Sequence, residues 1–538
     1  MKLHLPKRLH NRTGATLIVS LMTLFVLSGM AALLLRTSVP RFQVNFQAAG
    51  WQQARLAADA GVELALERLN QNAPDPTADT TDWTGWKINS ATAANGTALA
   101  WINATSVPGV TATDSALQAT PPILLDNANV SPVVGTTAVA DVSLRALYLA
   151  TDPTVTAPWA RIRSMGTSSL PGNGRAAIDR MDSSLRRLSL RSPMRGTLSA
   201  NDVLTPGTVP FPNASRIVEV IARPITPFSK AIVTEDSMLL SSSTGWEVNS
   251  YDSSDPNKSA AGGIYPGDGS PMIQSNGDIA SNKRNPAGSP YGPLIDAQGA
   301  VVLGNVSTNG GDDPGTVAHE NVTGNFNIDQ SRIFDDFDDP LAPPPVPTPT
   351  SYNINPAYNK GSYRDFDASG SYTTETYYRI PTNKPVGGLT VKGTGRITIF
   401  IDGDWNLNGP VIIPPGVICN IYCKGDINFV NQTVNYDSIS SKRPANLRIY
   451  GVPDPNADGT LPPRKLDAQG EGQIAAAFYG PSYKASLNGT VNWYGAFAGK
   501  SYQIVGGGIG GFHYDEFLGF VGYVKKYVVH SYQEDSRQ

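Results

Sequence analysis

Residues 15–35 read ATLIVSLMTLFVLSGMAALLL, an uncharged and mostly apolar run of 21 residues that Arg36 ends. At about 1.5 Å rise per residue, a helix of this length just spans a hydrocarbon core of about 30 Å. The run therefore predicts one transmembrane span from Ala15 to Leu35. Basic residues precede it at Lys2, Lys7, Arg8 and Arg12. By the positive-inside rule, the N-terminus lies in the cytoplasm and the bulk of the chain lies outside, in the periplasm or beyond the cell.

A cleaved secretory signal is the alternative interpretation of this run. Such a signal has a shorter apolar region of about 7–15 residues and a small-residue exit. Residues 28–32, SGMAA, resemble that exit, but apolar residues continue past it to Leu35. The length of the run favours a retained anchor.

A helix-forming stretch continues the span as far as residue 70. In its second half, Ala57, Ala60, Gly61 and Leu64 fall on one stripe at helical periodicity. Small residues allow a close approach by another element, and two packing partners remain open. The stripe packs on this protein's own globular part, or it packs against neighbouring subunits.

The junction between leader and span carries a resemblance to a known family. The sequence GATLIVSL from Gly14 resembles the N-terminus of type IV pilin-like proteins, in which a prepilin peptidase cuts after such a glycine. The resemblance implies a cut between Gly14 and Ala15. Those proteins usually carry Glu at the fifth mature position, where this chain has Val19. This departure resembles the minor, PilX-like class and tip-type pseudopilins, and the Ala-rich sequence at 46–61 is similar to PilX-like proteins as well.

Composition favours short strands and turns after the helix. The chain of 538 residues contains 52 glycines and 42 prolines, and only 16% of its residues are charged. The net charge of −3 shows no footprint for nucleic acid. Alternating apolar residues predict strands at 142–148, 159–164 and 216–221.

Strand candidates later in the chain are spaced near 20 residues and centre on Ile399, Ile421, Phe429, Ile449, Ala477, Trp493 and Ile504. This spacing predicts the coils of a β-helix, with a β-sandwich as the alternative. The predicted fold is therefore mainly β with a long N-terminal α-helix: a pilin-like transmembrane helix, a β-rich middle region and a C-terminal β-helix or solenoid.

A second resemblance covers the C-terminal region. The segments AAFYGP at 476–481, LNG at 487–489, WYGAF at 493–497 and FHYD at 512–515 are similar to the C-terminal domain of PilX-like bacterial surface proteins. The resemblance implies a β-solenoid that ends in a His-Tyr-Asp coil.

These patterns divide the chain into six predicted parts. They are the basic leader 1–14, the transmembrane and amphipathic helix 15–70, a pilin-like or irregular β-containing region 71–228, the first part of the solenoid 229–339, a Pro-rich spacer 340–350 and the C-terminal solenoid 351–530.

The two cysteines, Cys419 and Cys423, are four residues apart in a predicted strand. Their Cα atoms would then stand roughly 13 Å apart at ~3.3 Å per residue, and a disulfide needs less than about 7 Å. We predict two free, buried thiols on one face of that strand.

A weak calcium motif occurs at Asp454, Asn456 and Asp458. The spacing D-x-N-x-D-G matches the opening of an EF-hand loop, in which side-chain oxygens surround Ca²⁺ and glycine permits a sharp turn. The twelfth position is Lys465 rather than Glu. A metal-free turn is therefore the alternative, and no other cofactor is expected.

Enzymatic activity on a glycan is the least favoured function. Asp402 and Asp404 flank a glycine near Trp405, and His513 and Asp515 lie two residues apart. A pair of carboxylates could perform acid–base chemistry, but no nucleophile elbow, P-loop or zinc motif accompanies them.

The favoured function is a non-enzymatic, pilin-like minor subunit of a type IV pilus-like or pseudopilus assembly. It is anchored in the inner membrane and displays a solenoid for assembly, tip or adhesion roles. Its expected partners are other pilin-like subunits, the prepilin peptidase and the membrane. A permanently anchored envelope protein outside any filament is the alternative.

Overall fold

The computed structural model describes residues 12–71, 87–88, 117–119, 123–129, 137–149, 154–155, 159–169, 214–240, 245–282, 295–297, 299–308, 317–318, 322–324, 326–327, 344–353, 363–372, 374–382, 386–506, 508 and 510–535. Most of the predicted leader, residues 1–11, lies outside the described residues, as does much of the predicted region 71–228.

One long helix opens the described chain. Helix α1 runs from Arg12 to Gln71, 60 residues that rise about 90 Å. It continues through Pro40, which has no N–H, so one backbone hydrogen bond of the helix is missing there. The prediction of a continuous helix from the span into the water-soluble region is confirmed.

The rest of the described chain is dominated by 30 strands. The first twelve are β1 Lys87–Ile88, β2 Leu117–Ala119, β3 Ile123–Asn129, β4 Thr137–Leu149, β5 Trp159–Ser169, β6 Ala214–Ile225, β7 Ile232–Thr234, β8 Met238–Leu239, β9 Glu247–Tyr251, β10 Ile279–Ser281, β11 Ile295–Asp296 and β12 Val301–Val302. The next nine are β13 Val306–Thr308, β14 Val317–Ala318, β15 Phe326–Asn327, β16 Tyr363–Asp367, β17 Glu375–Ile380, β18 Val386–Lys392, β19 Gly395–Ile401, β20 Trp405–Leu407 and β21 Val411–Ile412. The last nine are β22 Val417–Cys423, β23 Ile427–Val430, β24 Thr433–Val434, β25 Leu447–Gly451, β26 Arg464–Gly470, β27 Gln473–Gly489, β28 Asn492–Val505, β29 Gly511–Asp515 and β30 Lys526–Asp535. The predicted fold class, mainly β with a long N-terminal helix, is confirmed.

Seven of these strands form an antiparallel sheet with the order β1-β3-β4-β5-β6-β30, and β2 pairs with β4. The strands predicted at 142–148, 159–164 and 216–221 lie in β4, β5 and β6. The sixth strand in the order comes from the other end of the sequence, since Lys526 of β30 pairs with Ile225 of β6. The predicted solenoid boundary at residue 530 therefore falls inside a strand of this sheet.

The other 23 strands, β7–β29, pair in parallel, and we call them the parallel stack. No described strand of the stack pairs with the next as in an antiparallel hairpin; over much of the stack a strand pairs with the third one along, as β19 does with β22 and β22 with β25. Each turn of chain therefore lies on the previous turn. The buried side chains of neighbouring turns form columns, such as Ile399, Ile421 and Ile449, which lie in register.

The order of turns in the parallel stack differs from their order in the sequence. The column continues from Ile449 to Phe478 and Phe497, and Phe497 then pairs with Ile232 in β7. From Ile232 it passes to Ile279 in β10. The chain thus enters the stack in its middle, builds one end, crosses to the other end and returns to the middle at β29.

The crossing includes residues 344–353, which we call the strap. The strap contains Pro344, Pro345, Pro347 and Pro349 and has neither helix nor strand except a bridge from Asn353 to Tyr378. Asn353 N donates to the carbonyl of Tyr377, so the strap ends beside β17. These residues belong to the predicted Pro-rich spacer and the start of the next predicted part.

Candidate functional site

The first half of α1 presents an apolar surface with no cover. Residues Leu17–Ser38 have a mean hydropathy of 2.4, and none of this stretch is buried within the chain. Phe25, near its centre, is 79% exposed. By length and composition this segment is able to cross a membrane once, and we call it the anchor segment. The predicted span Ala15–Leu35 overlaps it almost entirely.

The hydroxyl side chains of the anchor segment form their hydrogen bonds within the helix. Its five hydroxyl groups, on Ser20, Thr23, Ser28, Thr37 and Ser38, each donate to a backbone carbonyl three or four residues earlier. The shortest of these bonds, from Ser28 to Leu24, is 2.7 Å long. A hydroxyl bonded in this way needs no water, which suits a hydrocarbon environment.

The second half of α1, residues 50–71, packs on the antiparallel sheet, and we call it the docking half. Its buried side chains are Ala54, Ala57, Ala58, Val62, Ala65 and Leu69. They meet apolar residues of β4, β5 and β6, among them Val142, Ile162 and Val220. Burial of this face removes apolar surface from water, which is the main force that holds the helix to the sheet.

Two glycines set the distance between helix and sheet. A Cβ atom at Gly61 would collide with Ser164 Oγ, and one at Gly166 in β5 would collide with the backbone of Ala54 and Ala58. The predicted small-residue stripe is therefore partly internal: Ala57 and Gly61 face this protein's own sheet. Ala60 is half-buried and Leu64 is 37% exposed, so the other side of the stripe is open.

Hydrogen bonds join strand β30 to the docking half. Tyr527 N donates to Asn70 Oδ1 at 2.5 Å, and Asn70 Nδ2 donates to the Tyr527 carbonyl at 3.4 Å. Nearer the membrane, Tyr532 OH donates to Asp59 Oδ1 at 2.7 Å. Burial and this bond raise the pKa of Tyr532 to about 12. Sequence reasoning missed these contacts, because no local signal pairs residues that are separated by 457 positions.

Arg55 links the same two elements. It lies 3.9 Å from Asp59 on its own helix and 3.6 Å from Glu534 on β30. The first pair has the i,i+4 spacing that brings side chains together on one face of a helix. Both pairs are largely exposed, so we assign them orientation of the strand rather than appreciable stability.

The predicted cleavage residues, Gly14 and Ala15, lie in the first turn of the described helix. Val19 follows them and is 62% exposed, as is typical of the whole anchor segment. Cleavage between Gly14 and Ala15 stays a prediction.

The predicted calcium residues lie in a turn on the outside of the parallel stack. Asp454 Oδ1 accepts a bond from Lys424 Nζ at 2.7 Å, and Asp458 Oδ1 accepts bonds from the N and Oγ1 of Thr460. The bonds from Thr460 lower the pKa of Asp458. Gly459 has a positive φ of 81°, which the turn requires. Calcium binding by this turn stays a prediction.

The two carboxylates considered for glycan chemistry have different neighbours. Arg379 donates two hydrogen bonds to Asp402, of 2.7 and 3.1 Å. Asp404 Oδ1 instead accepts a hydrogen bond from the backbone N–H of Asp426. Trp405 is buried in the core and presents no face to a ligand. The described residues therefore do not bring these three side chains together in one groove.

The His-Tyr-Asp segment is buried in β29. The ring of His513 lies 4.0 Å from that of Tyr265 and 4.9 Å from that of Tyr494, centroid to centroid, and its Nδ1 is 2.9 Å from Asn249 Oδ1. Burial lowers the pKa of His513 to about 4. Asp515 Oδ1 accepts the N–H groups of Ser253 and Phe517, and burial raises its pKa to about 7. These contacts connect β29 to the segment after β9.

The two cysteines are free and buried in β22, as predicted. They lie four residues apart, an even number, and so share the inner face of the strand. Burial raises the pKa of both thiols, that of Cys423 to about 12. At neutral pH they are protonated and unreactive.

Comparisons with known proteins match one part of the chain to a family and most of the chain to a solved structure. A family model described as a domain of unknown function (DUF7305) matches residues 353–519. This part of the chain is similar to that family. No curated protein matches. Among solved structures, the competence-associated pilin ComZ from Thermus thermophilus matches at 10% identity over 90% of this chain and 97% of that chain, with a TM-score of 0.26. A score this low does not establish a common fold, so the inferences that follow rest on the chain's own geometry.

Proposed function

We propose that this protein is a non-enzymatic, pilin-like structural subunit, anchored in the inner membrane by α1 and present in few copies in a type IV pilus-like or pseudopilus assembly. The observation that carries the proposal is the two-part helix α1. Its first half is apolar and uncovered, and its second half packs on an antiparallel sheet. A single element therefore serves both as anchor and as core of the soluble part.

The helix also holds the soluble part away from the bilayer. The anchor segment ends at Ser38, and the first buried residue of the docking half is Gly50. Eleven residues lie between them, and the rise from Ser38 to Gly50 is about 18 Å. The headgroup region is about 5–7 Å thick on each side of the hydrocarbon core. This length of helix is thus enough to pass the headgroups and leave helical surface for neighbouring subunits.

The parallel stack is proposed to be the displayed module. It is inserted between β6 and β30, whose ends at the stack lie beside Asn70, near the end of α1 that is farthest from the anchor segment. Its parallel, stacked turns support a β-solenoid, which suits an assembly, tip or adhesion role. The absence of Glu at Val19 supports a minor subunit, because the family resemblance associates that acid with the abundant fibre-forming class.

The first test is N-terminal sequencing and intact mass of the protein isolated from its native membrane. A chain that begins at Ala15 supports processing by the prepilin peptidase. A chain that still begins at Met1 overturns the filament proposal and leaves a plain anchor. A start near Ala32 or later means that the helix was a secretory signal.

A permanently anchored envelope protein is the second candidate. The internal packing of Ala57 and Gly61 favours it, since these small residues already contact the protein's own sheet. Filaments sheared from cells and probed for this chain distinguish the two. A subunit is recovered with the filament, whereas an envelope protein stays entirely in the membrane fraction.

A further inference from the structure

An aromatic column lies just beneath the surface of the parallel stack, and its three rings are only 5–8% exposed. Phe400, Tyr422 and Tyr450 occupy in-register positions of β19, β22 and β25. Neighbouring rings lie 5.4 and 4.8 Å apart, with their planes 21° and 20° from parallel. Each ring face is therefore directed at the next ring. Tyr352 of the strap packs on Phe400 as well, 5.6 Å away, so the column presents no open ring face to anything that binds beside it.

A cleft of about 470 Å³ opens beside this column. The rings of Phe400 and Tyr422 contribute to its floor. The strap supplies one wall with Pro344 and Val346, and the segment after β25 supplies another with Pro453 and Pro455. The cleft is thus mainly apolar, and three of the residues that line it are prolines.

Charged groups stand at the rim of the cleft in pairs of opposite sign. Lys424 Nζ lies 2.7 Å from Asp454 Oδ1, and both residues line the cleft. Asp402 lines it as well and is held by Arg379. The charges balance, so the cleft has no preference for a strongly acidic or basic ligand. An ammonium group has three donors, so Lys424 can serve Asp454 and a ligand carbonyl together.

The chain itself shows what this surface accommodates. Pro344 of the strap is buried against the cleft, while most of the strap beyond it is exposed. Proline-rich segments adopt the polyproline II conformation, whose carbonyls make no internal hydrogen bonds and whose shape is fixed before binding. Grooves lined by aromatic side chains recognise such segments. A sugar ring would instead need an open aromatic face, and the stacking within the column leaves none.

We propose that the cleft binds a proline-rich segment of another protein in the polyproline II conformation. The ligand lies beside the strap, against the edges of Phe400 and Tyr422, with a carbonyl accepting a bond from Lys424. The site is independent of the anchor and of the pilin-like role proposed above.

The test uses the full chain in detergent micelles and a fluorescein-labelled decaproline peptide, with binding followed by fluorescence anisotropy. Val346→Trp fills the cleft from a position that is 46% exposed, so folding is preserved. Its matched control is Val430→Trp, at a 42% exposed valine on another outer face of the stack. Lys424→Met removes the carbonyl donor and keeps the length of the side chain.

The expected result is saturable binding of decaproline and none of a Gly-Ser peptide of equal length. Affinity falls at least tenfold in Val346→Trp and about fivefold in Lys424→Met, and it is unchanged in Val430→Trp. Equal binding of both peptides, or an equal loss in Val430→Trp, overturns the proposal. So does saturable binding of a maltooligosaccharide that Val346→Trp abolishes, since the cleft would then be a glycan site.

Discussion

At Gly166, the backbone of β5 approaches helix α1 so closely that no side chain fits between them. The atoms that a Cβ would strike belong to the backbone of Ala54 and Ala58, which cannot move aside independently of the helix. At Gly61 the obstacles are side-chain atoms: Ser164 Oγ, which can rotate, is the nearest, and Val142 Cγ2 and Ala140 Cβ lie farther away. The two glycines therefore differ in what a substitution would cost.

We predict that Gly166→Ala destabilises the docking of α1 by roughly 1–3 kcal/mol, because the helix must move away from the sheet. Thermal unfolding of the purified chain measures the effect. Gly29→Ala is the control, since no atom lies within 4 Å of its new Cβ. Equal midpoints for Gly166→Ala and the unaltered chain would contradict the close approach.

His513 and Asp515 predict opposite dependences of stability on pH. The pKa of His513 is lowered from 6.5 to about 4, so the unfolded chain binds more protons between these values and stability rises with pH. The pKa of Asp515 is raised from 3.8 to about 7, so the folded chain binds more protons and stability falls as pH rises. Between pH 4 and 6.5 the two effects largely cancel.

Single variants should separate these effects. Asp515→Asn leaves the histidine, and we expect its stability to increase from pH 4 to 6.5. His513→Asn leaves the aspartate, and we expect its stability to decrease from pH 4 to 7. Each slope approaches about 1.4 kcal/mol per pH unit at most. Denaturant midpoints at several pH values measure them, and slopes of the same sign in both variants would refute the assignment.

Helix α1 combines two environments in one element, and each half follows from its own sequence pattern. The anchor segment is apolar on all sides, as a lipid-facing helix requires. The docking half is apolar on one face only. The pattern predicted both halves, but it did not determine which way the docking half faces. The sheet selected the face with Ala54, Ala58, Ala65 and Leu69, which left Leu56 53% exposed.

At this scale we predict that two charges in the anchor segment release the protein from the membrane. Near the centre of a span, each of the substitutions Leu24→Arg and Leu27→Arg raises the free energy of membrane insertion by about 2.5–3.5 kcal/mol. Carbonate extraction of membranes should then recover the variant in the soluble fraction. Leu239→Arg, at an exposed leucine of β8, should stay in the pellet. Retention of the double variant would show that α1 is not the anchor.

The whole molecule is organised around the neighbouring strands β6 and β30, through which the chain enters and leaves the parallel stack. Tyr514 OH donates to the carbonyl of Phe228, and Thr226 Oγ1 donates to that of Leu518, so the two connections also bind each other. Buried Arg448 of the stack donates through Nη2 to Thr154 O, outside it. Strand β30 therefore completes a sheet whose other strands come from the first half of the chain.

Truncation after residue 525 removes β30 and should weaken the packing of the docking half on the antiparallel sheet. Without β30, Asn70 loses its partner Tyr527, and β6 becomes an open edge. We expect limited proteolysis to cut within residues 50–71 several times faster than in the full chain. Truncation after Asp535 is the control, because it retains the whole of β30. Unchanged cleavage in the first truncation would contradict the role of β30.

The order of turns predicts that the parallel stack stays assembled when the chain is cleaved between its two runs of turns. With a protease site introduced within 331–339, the two fragments should stay together in native buffer, because Phe497 and Ile232 join their turns in the core. Size-exclusion chromatography before and after cleavage measures this. Separation of the fragments without denaturant would show that the two runs of turns are not packed in the order described.

The sequence by itself determined the features that depend on neighbouring residues. A long apolar run specifies the anchor segment, alternation specifies β4, β5 and β6, and strand geometry keeps Cys419 and Cys423 from bonding. Only the tertiary structure decided that β30 completes the first sheet and that Phe497 stacks on Ile232. Those pairings join residues hundreds of positions apart, where many apolar strands are locally equivalent and global packing alone selects one partner.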